Sequence, residues 1–171
     1  KRVAIISVET SKGYSDFLTT LNGNQYGYKF YTELFPSILQ GDKAIVGITE
    51  RLSEILMRQS EFDCVVIVRG GGGDVGLSCY DDYSVAHQVA TFPLPVLTGI
   101  GHSTNQSVTD MVAFSHHITP TDVAFFLIRN FMDFDAQVQD YQQCIFDRAV
   151  EMLENERRAL SDIEMKRNLL T

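Results

Sequence analysis

The chain has 171 residues, 44% of them hydrophobic, and a formal net charge of −8. That length suits one domain with a sizeable core, and no apolar run approaches the roughly 20 residues of a membrane span. Three scattered cysteines (Cys64, Cys79, Cys144), with no C-x-x-C pair, argue against a disulfide framework and a zinc site.

The elements alternate. Residues 2–8 carry the apolar run Val3-Ala4-Ile5-Ile6 and read as a strand. A short helix is expected over 15–21 and a second strand over 28–35. Ile45, Ile48, Leu52 and Ile55 recur at three- and four-residue spacing, which predicts an amphipathic helix over 42–59. The run Cys64-Val65-Val66-Ile67-Val68 predicts a buried strand over 63–68. A helix near 82–91, a strand at 95–99 and a helix near 105–114 follow. Alternating βαβα implies an α/β fold: a doubly wound, mostly parallel sheet covered on both faces.

Thr119-Pro120 is a helix-start signal, and neither proline nor glycine occurs after it. Phe131, Val138, Ile145, Met152 and Ala159 repeat every seven residues, with Leu127, Phe134 and Tyr141 at the alternate positions. This is a heptad seam that decays at Arg148 and Asn155. It is read as a long C-terminal coiled-coil helix, about 75 Å over some 50 residues. Two antiparallel helices with a polar break near Asn155 are the other arrangement the pattern allows. The expected domains are therefore 1–119, an α/β part, and 120–171, a helical segment.

Two glycine clusters carry the chemistry. Arg69-Gly70-Gly71-Gly72-Gly73 leaves the strand at 63–68, at the carboxyl end where open α/β sheets place ligands. Glycines let the backbone approach a ligand closely, and arginine supplies a planar, always-charged fork suited to phosphate. A tight turn with Arg69 in a structural ion pair would look the same. Gly99-Ile100-Gly101-His102-Ser103-Thr104-Asn105 follows the next strand with an acid/base residue in place of the cation. Gly71 to Gly76 also satisfies G-x-G-x-x-G, but residues 86–99 contain no Asp or Glu, which argues against a dinucleotide site.

These segments resemble the catalytic domain of exonuclease VII large subunits, a family of single-strand DNA nucleases. The likeness runs over residues 62–127: Phe62-Asp63, Arg69-Gly70-Gly71-Gly72, Leu77, Asp82, Pro93-Leu94-Pro95-Val96, Gly99-Ile100-Gly101-His102, Asp110-Met111-Val112-Ala113 and Thr119-Pro120-Thr121. It extends upstream to Val3-Ala4-Ile5-Ile6-Ser7, the turn from Gly13 to Asp16, Phe35-Pro36-Ser37 and Gln40-Gly41. The resemblance implies hydrolysis of phosphodiester bonds in single-stranded DNA to short oligonucleotides in the cytoplasm. It implies catalytic roles for Asp16, Arg69 and His102, and phosphate binding by Gly70, Gly71, Gly72 and Gly73. It also implies a small subunit as partner through the C-terminal helix, with self-association as a further use of the same seam. The family's amino-terminal OB-fold is absent, and the chain begins at Lys1 without a methionine, so it reads as an excised fragment.

The fourth catalytic position implied by the resemblance, the aspartate of G-H-x-x-D, is Asn105 here. Asparagine keeps the shape and one acceptor but loses the charge. Family members often carry Glu-Asp before Leu77, where this chain has Val75-Gly76. Reduced activity, replacement by a nearby carboxylate (Asp81, Asp82 or Asp110), a weakened paralogue and an introduced substitution all remain open. No Asp/Glu cluster has two-metal spacing, so no cofactor is assigned as required and Mg2+ stays an open candidate. A non-catalytic, nuclease-like scaffold or DNA-binding subunit is the alternative reading. The acidic balance favours it: residues 130–171 hold nine acidic and five basic side chains and the rest hold thirteen and nine, so neither part is a basic surface.

Overall fold

The computed structural model describes residues 1–70, 76–100 and 106–168, without the side chains of 166 and 168. Five parallel strands form one sheet in the order β2-β1-β3-β4-β5. The strands are β1 (Arg2–Ser7), β2 (Tyr31–Pro36), β3 (Cys64–Val68), β4 (Val96–Gly99) and β5 (Ser115–His117). The helices between them are α1 (Lys12–Asn22), α2 (Asp42–Met57), α3 (Tyr83–Ala90) and α4 (Val108–Val112), and α5 (Pro120–Asn168) ends the chain.

The three central strands are apolar on both sides because both sides are covered. Every residue of β3 and β4 is buried, as are Val3 through Ser7 of β1. Ala4, Ile6, Val65, Ile67 and Val96 form one core with Ala44, Ile48, Leu52 and Ile55 of α2 and Val85 and Val89 of α3. Alternation turns Val3, Ile5, Val66 and Leu97 to the other face. There α1 buries Phe17 and Leu21, and the start of α5 buries Val123, Ala124 and Ile128. A Cβ on Gly99 would stand 2.6 Å from a Val123 methyl, so α5 crosses β4 where only glycine fits.

Caps set the helix boundaries. Ser11 Oγ accepts from Tyr14 N at 3.1 Å, starting α1 three residues before the expected 15. The expected helix at 105–114 is only five residues long: a reciprocal Ser107–Asp110 capping box starts it, and Ala113 is already extended. The second strand begins at Tyr31, not 28, because residues 24–28 form a turn in which Asn24 Oδ1 accepts from Tyr28 N at 3.0 Å. Strand β5 was not expected. Thr119 and Asp122 cap α5 reciprocally: Asp122 N donates to Thr119 Oγ1 at 3.1 Å and Thr119 N to Asp122 Oδ2 at 3.2 Å.

Two compact units divide at Arg129, inside α5: Lys1–Arg129 and Asn130–Thr171. The second is helical throughout its described length, so the polar break near Asn155 is not there. Several of its apolar side chains, Phe134, Tyr141, Ile145, Phe146, Met152 and Leu153 among them, are exposed. Among the described residues no helix is long and apolar enough to cross a membrane.

Candidate active site

The order 2-1-3-4-5 has a switch point between β1 and β3, where the chain leaves the first strand toward one sheet edge and returns on the other side. Ligands of doubly wound sheets bind in the crevice beyond the strand carboxyl ends at that point. Here the crevice is bordered by Ser7 and the start of α1 on one side and by Arg69-Gly70 on the other.

The strand ends are level. Ile6 pairs with Ile67, and Val68 with Gly99. Arg69 N donates to Gly99 O at 3.1 Å, so β3 pairing runs one residue past the strand. Ser7 Oγ donates to the Val68 carbonyl at 2.7 Å and lies 3.4 Å from Ser11 Oγ, tying the end of β1 to the end of β3 and to the cap of α1. Ser37 N donates to Ser7 O at 3.0 Å, which brings the β2–α2 turn to the same edge.

Alternation past β3 separates the next two residues. Gly70 continues the side of Val66 and Val68 and meets α1: a Cβ on it would lie 2.8 Å from Gly13 N. Arg69 continues the side of Ile67 and is only 5% exposed. A charge taken that far from water requires polar partners. One is Gln40, which follows β2: with its amide oxygen turned to the guanidinium it accepts from Arg69 Nε at 3.0 Å and Nη2 at 2.7 Å. The opposite amide orientation would set donors against donors.

Asp16 is exposed on α1, three residues after Gly13. Residues three apart share a helix face, and side chains lean toward the helix start. Asp16 therefore rides on the face whose first turn presses against Gly70. His102, Asn105, Gly71, Gly72 and Gly73 lie outside the described residues. Gly99, three positions before His102 in the sequence, ends β4 beside Arg69.

The carboxylates weighed as substitutes for the missing aspartate all have structural work. Asp82 caps α3, accepting from Ser84 N at 2.8 Å. Asp81 accepts from Val108 N at 2.9 Å, pinning the start of α4. Asp110 accepts from Thr98 Oγ1 at 2.6 Å through Oδ1, and from Ser107 Oγ at 2.8 Å and N at 3.2 Å through Oδ2. Among the described residues no group of three or more His, Cys, Asp or Glu side chains is placed to hold a metal ion.

Burial is the largest influence on Cys64, Tyr80 and His117. It pushes the Cys64 thiol up to about 12, so this core cysteine stays a thiol at neutral pH. It raises the Tyr80 phenol as well, and Tyr80 stays a donor, giving its proton to Leu39 O at 3.2 Å. The His117 imidazole is pulled below its ordinary value, chiefly by burial. It packs on Phe126 with ring centres 4.8 Å apart, and its Nε2 lies 3.0 Å from Ser115 Oγ.

Sequence reasoning selected Arg69 from its place after a buried strand. It noted Gln40 only as part of a glycine turn. The available signal was positional: in a parallel sheet, a polar residue in the turn after β2 comes to the same edge as the residue after β3.

A family model described as "Exonuclease VII, large subunit" matches residues 1–170. The chain is 35% identical over 124 residues to the exodeoxyribonuclease 7 large subunit of Lacticaseibacillus casei, which covers 72% of this chain and 27% of that protein. It is 27% identical over 163 residues to the protein of the same name from Lactobacillus acidophilus, covering 95% of this chain and 35% of that protein. The chain thus spans about a third of the length of these relatives or less. Among solved structures, a cobalamin-binding protein from Desulfitobacterium hafniense aligns with 75% of this chain and 57% of its own at a TM-score of 0.44 and 16% identity, a likeness too slight to bear on function. On the match over residues 1–170, the chain belongs to the family of exonuclease VII large subunits.

Proposed function

We propose that this chain is the catalytic part of an exonuclease that hydrolyses phosphodiester bonds in single-stranded DNA and releases short oligonucleotides. The observation that carries the reading is the buried guanidinium of Arg69 at the switch point, followed by glycine and flanked by the β2–α2 turn. A planar cation in a partly dry crevice suits a phosphodiester, whose charge grows on the phosphoryl oxygens as water attacks.

The roles divide as follows. Arg69, with the N–H groups of Gly70, Gly71, Gly72 and Gly73, stabilises the phosphoryl oxygens. His102 exchanges protons with the attacking water or the leaving oxygen near neutral pH. Asp16 acts from α1 at the same edge. Asn105 occupies the position of the second carboxylate and supports the site by hydrogen bonding alone. Residues 1–119 form the catalytic domain. Residues 120–171 are an assembly arm whose exposed seam, including Phe134, Tyr141 and Ile145, suits helical partners: the small subunit or another copy. The setting is the cytoplasm.

A non-catalytic, DNA-binding or scaffold subunit is the second reading, favoured by Asn105 and by the net charge of −8. The two readings part on one experiment. The full-length subunit, assembled with its small subunit, is incubated with end-labelled single-stranded and duplex DNA. Catalysis predicts short oligonucleotides from the single strand only. Binding without any product, in a folded and fully assembled complex, selects the scaffold.

A further inference from the structure

We propose that Asp110 is a positioning residue for His102: its carboxylate ties the end of β4 to the start of α4, and so fixes the two points of the chain between which the histidine lies in sequence. The inference rests on the reading of His102 as the group that exchanges protons. It gives a carboxylate outside the glycine turn a part in the reaction without contact with the substrate.

The side chain of Asp110 takes donors from both sides of residues 101–105. From the β4 side, Thr98 Oγ1 donates to Oδ1 at 2.6 Å, the short length expected of a hydroxyl on a carboxylate. From the α4 side, Ser107 donates to Oδ2 through Oγ at 2.8 Å and through N at 3.2 Å. A carboxylate accepts on both oxygens and donates from neither, so one side chain holds both flanks at once. A capping box uses only the bonds to Ser107. The Thr98 bond is additional to it, and reaches 12 positions back along the chain. Thr98 is wholly buried, where a hydroxyl requires a partner, and Asp110 supplies it.

The start of α4 is fixed in turn to the downstream end of the other glycine segment. Asp81 Oδ1 accepts from Val108 N at 2.9 Å, and Thr109 Oγ1 donates to Tyr80 O at 2.6 Å. Where the two segments leave the sheet, Arg69 N donates to Gly99 O at 3.1 Å. One junction thus joins residues 69 and 99, and a second joins residues 80–81 to 108–109. Thr98 adjoins the first junction and Asp110 the second, so the bond between them sets the span across which His102 lies. Cutting it leaves both junctions in place and loosens that span.

The test is steady-state kinetics on single-stranded DNA with the full-length subunit in its assembly, beside thermal unfolding of each variant. Thr98→Val keeps the shape and removes the hydroxyl. It should lower kcat about 10- to 100-fold with KM little changed, as loss of an orienting partner does. Thr98→Ser, which keeps the donor, should recover turnover to within about threefold of wild type. In a His102→Ala background, where the histidine is gone, Thr98→Val should cost no more than about twofold further. A bond that only braces the fold would add its full loss in both backgrounds, and that result overturns the proposal. Full turnover by Thr98→Val beside a crippled His102→Ala overturns the role of Asp110 alone. Full turnover by His102→Ala overturns the reading of His102 on which it rests. Should Thr98→Val not fold, Asp110→Asn decides, because its amide turns a donor toward one of the two flanks. A loss of at least about tenfold there, absent in the His102→Ala background, sustains the proposal, and wild-type kcat overturns it.

Discussion

A Cβ on Gly13 would stand 2.6 Å from the Cα of Gly70, so the first turn of α1 and the end of β3 touch backbone to backbone. Both partners are glycine, and neither contact has a flexible side chain that could move away. This approach closes the Arg69 side of the crevice onto the helix that carries Asp16.

Gly13→Ala is therefore expected to destabilise the chain, although it replaces glycine in a helix. At an open helical position alanine would gain about 0.5–1 kcal/mol. Here the clash with Gly70 and with Arg69 O, at 2.8 Å, prevails. Forced overpacking costs about 1–3 kcal/mol. The urea midpoint should fall, with turnover falling alongside it. An unchanged or higher midpoint would show that the two segments separate freely.

Asp82→Ala should cost about 1 kcal/mol, the usual loss for an N-cap. Turnover at saturating substrate should stay at wild type, since the carboxylate is spent on Ser84 N. Lost turnover without lost stability would make Asp82 the substitute for the missing aspartate.

His117 gives the fold an acid-side weakness. Burial holds its imidazole below the ordinary value, so the unfolded chain binds that proton more readily. Stability from this group is present above the unfolded value of about 6.5 and declines as pH falls through that value toward the lower folded one. The thermal midpoint should drop between about pH 7 and pH 5, and His117→Phe should flatten part of the drop. An identical pH profile in the variant would assign the weakness elsewhere.

Much of the fold was legible in the residues. β1, β3 and β4 are central strands covered on both faces, so their apolar runs stand out. α2 follows from Ile48, Leu52 and Ile55. The edges were harder to read. β5 is Ser115-His116-His117, short and polar, and forms only because Ser115 and His117 pair with Leu97 and Gly99 of β4. α1 was expected too late because Gly13, a poor helix former, sits inside its first turn for the sake of Gly70. In the site, Arg69 was legible from its place after a buried strand. The Gln40 contact was not, because it joins two turns 29 positions apart. Asp81, Asp82 and Asp110 all looked available as catalytic carboxylates. Only the structure separates them, since each accepts from a particular backbone or side-chain donor. His102, Asn105 and Gly71 to Gly73 rest on the sequence reading alone.

Asn105→Asp is expected to raise the rate of hydrolysis. A carboxylate three positions after His102 would favour the imidazolium form of the histidine and restore the charge that Asn105 lacks. The measurement is kcat for single-stranded DNA in the assembled enzyme. An unchanged kcat would place this position outside the rate-limiting chemistry.

The most direct test of the site is turnover by Arg69→Ala and His102→Ala in the full-length, assembled subunit, with circular dichroism and thermal unfolding to confirm that each variant is folded. Removing a group that stabilises transition-state charge typically costs on the order of 100- to 1,000-fold in kcat. Both variants are predicted to lose activity on that scale while still folding and assembling. Wild-type turnover by folded Arg69→Ala and His102→Ala would contradict the assignment of the active site to the carboxyl edge of β3 and β4.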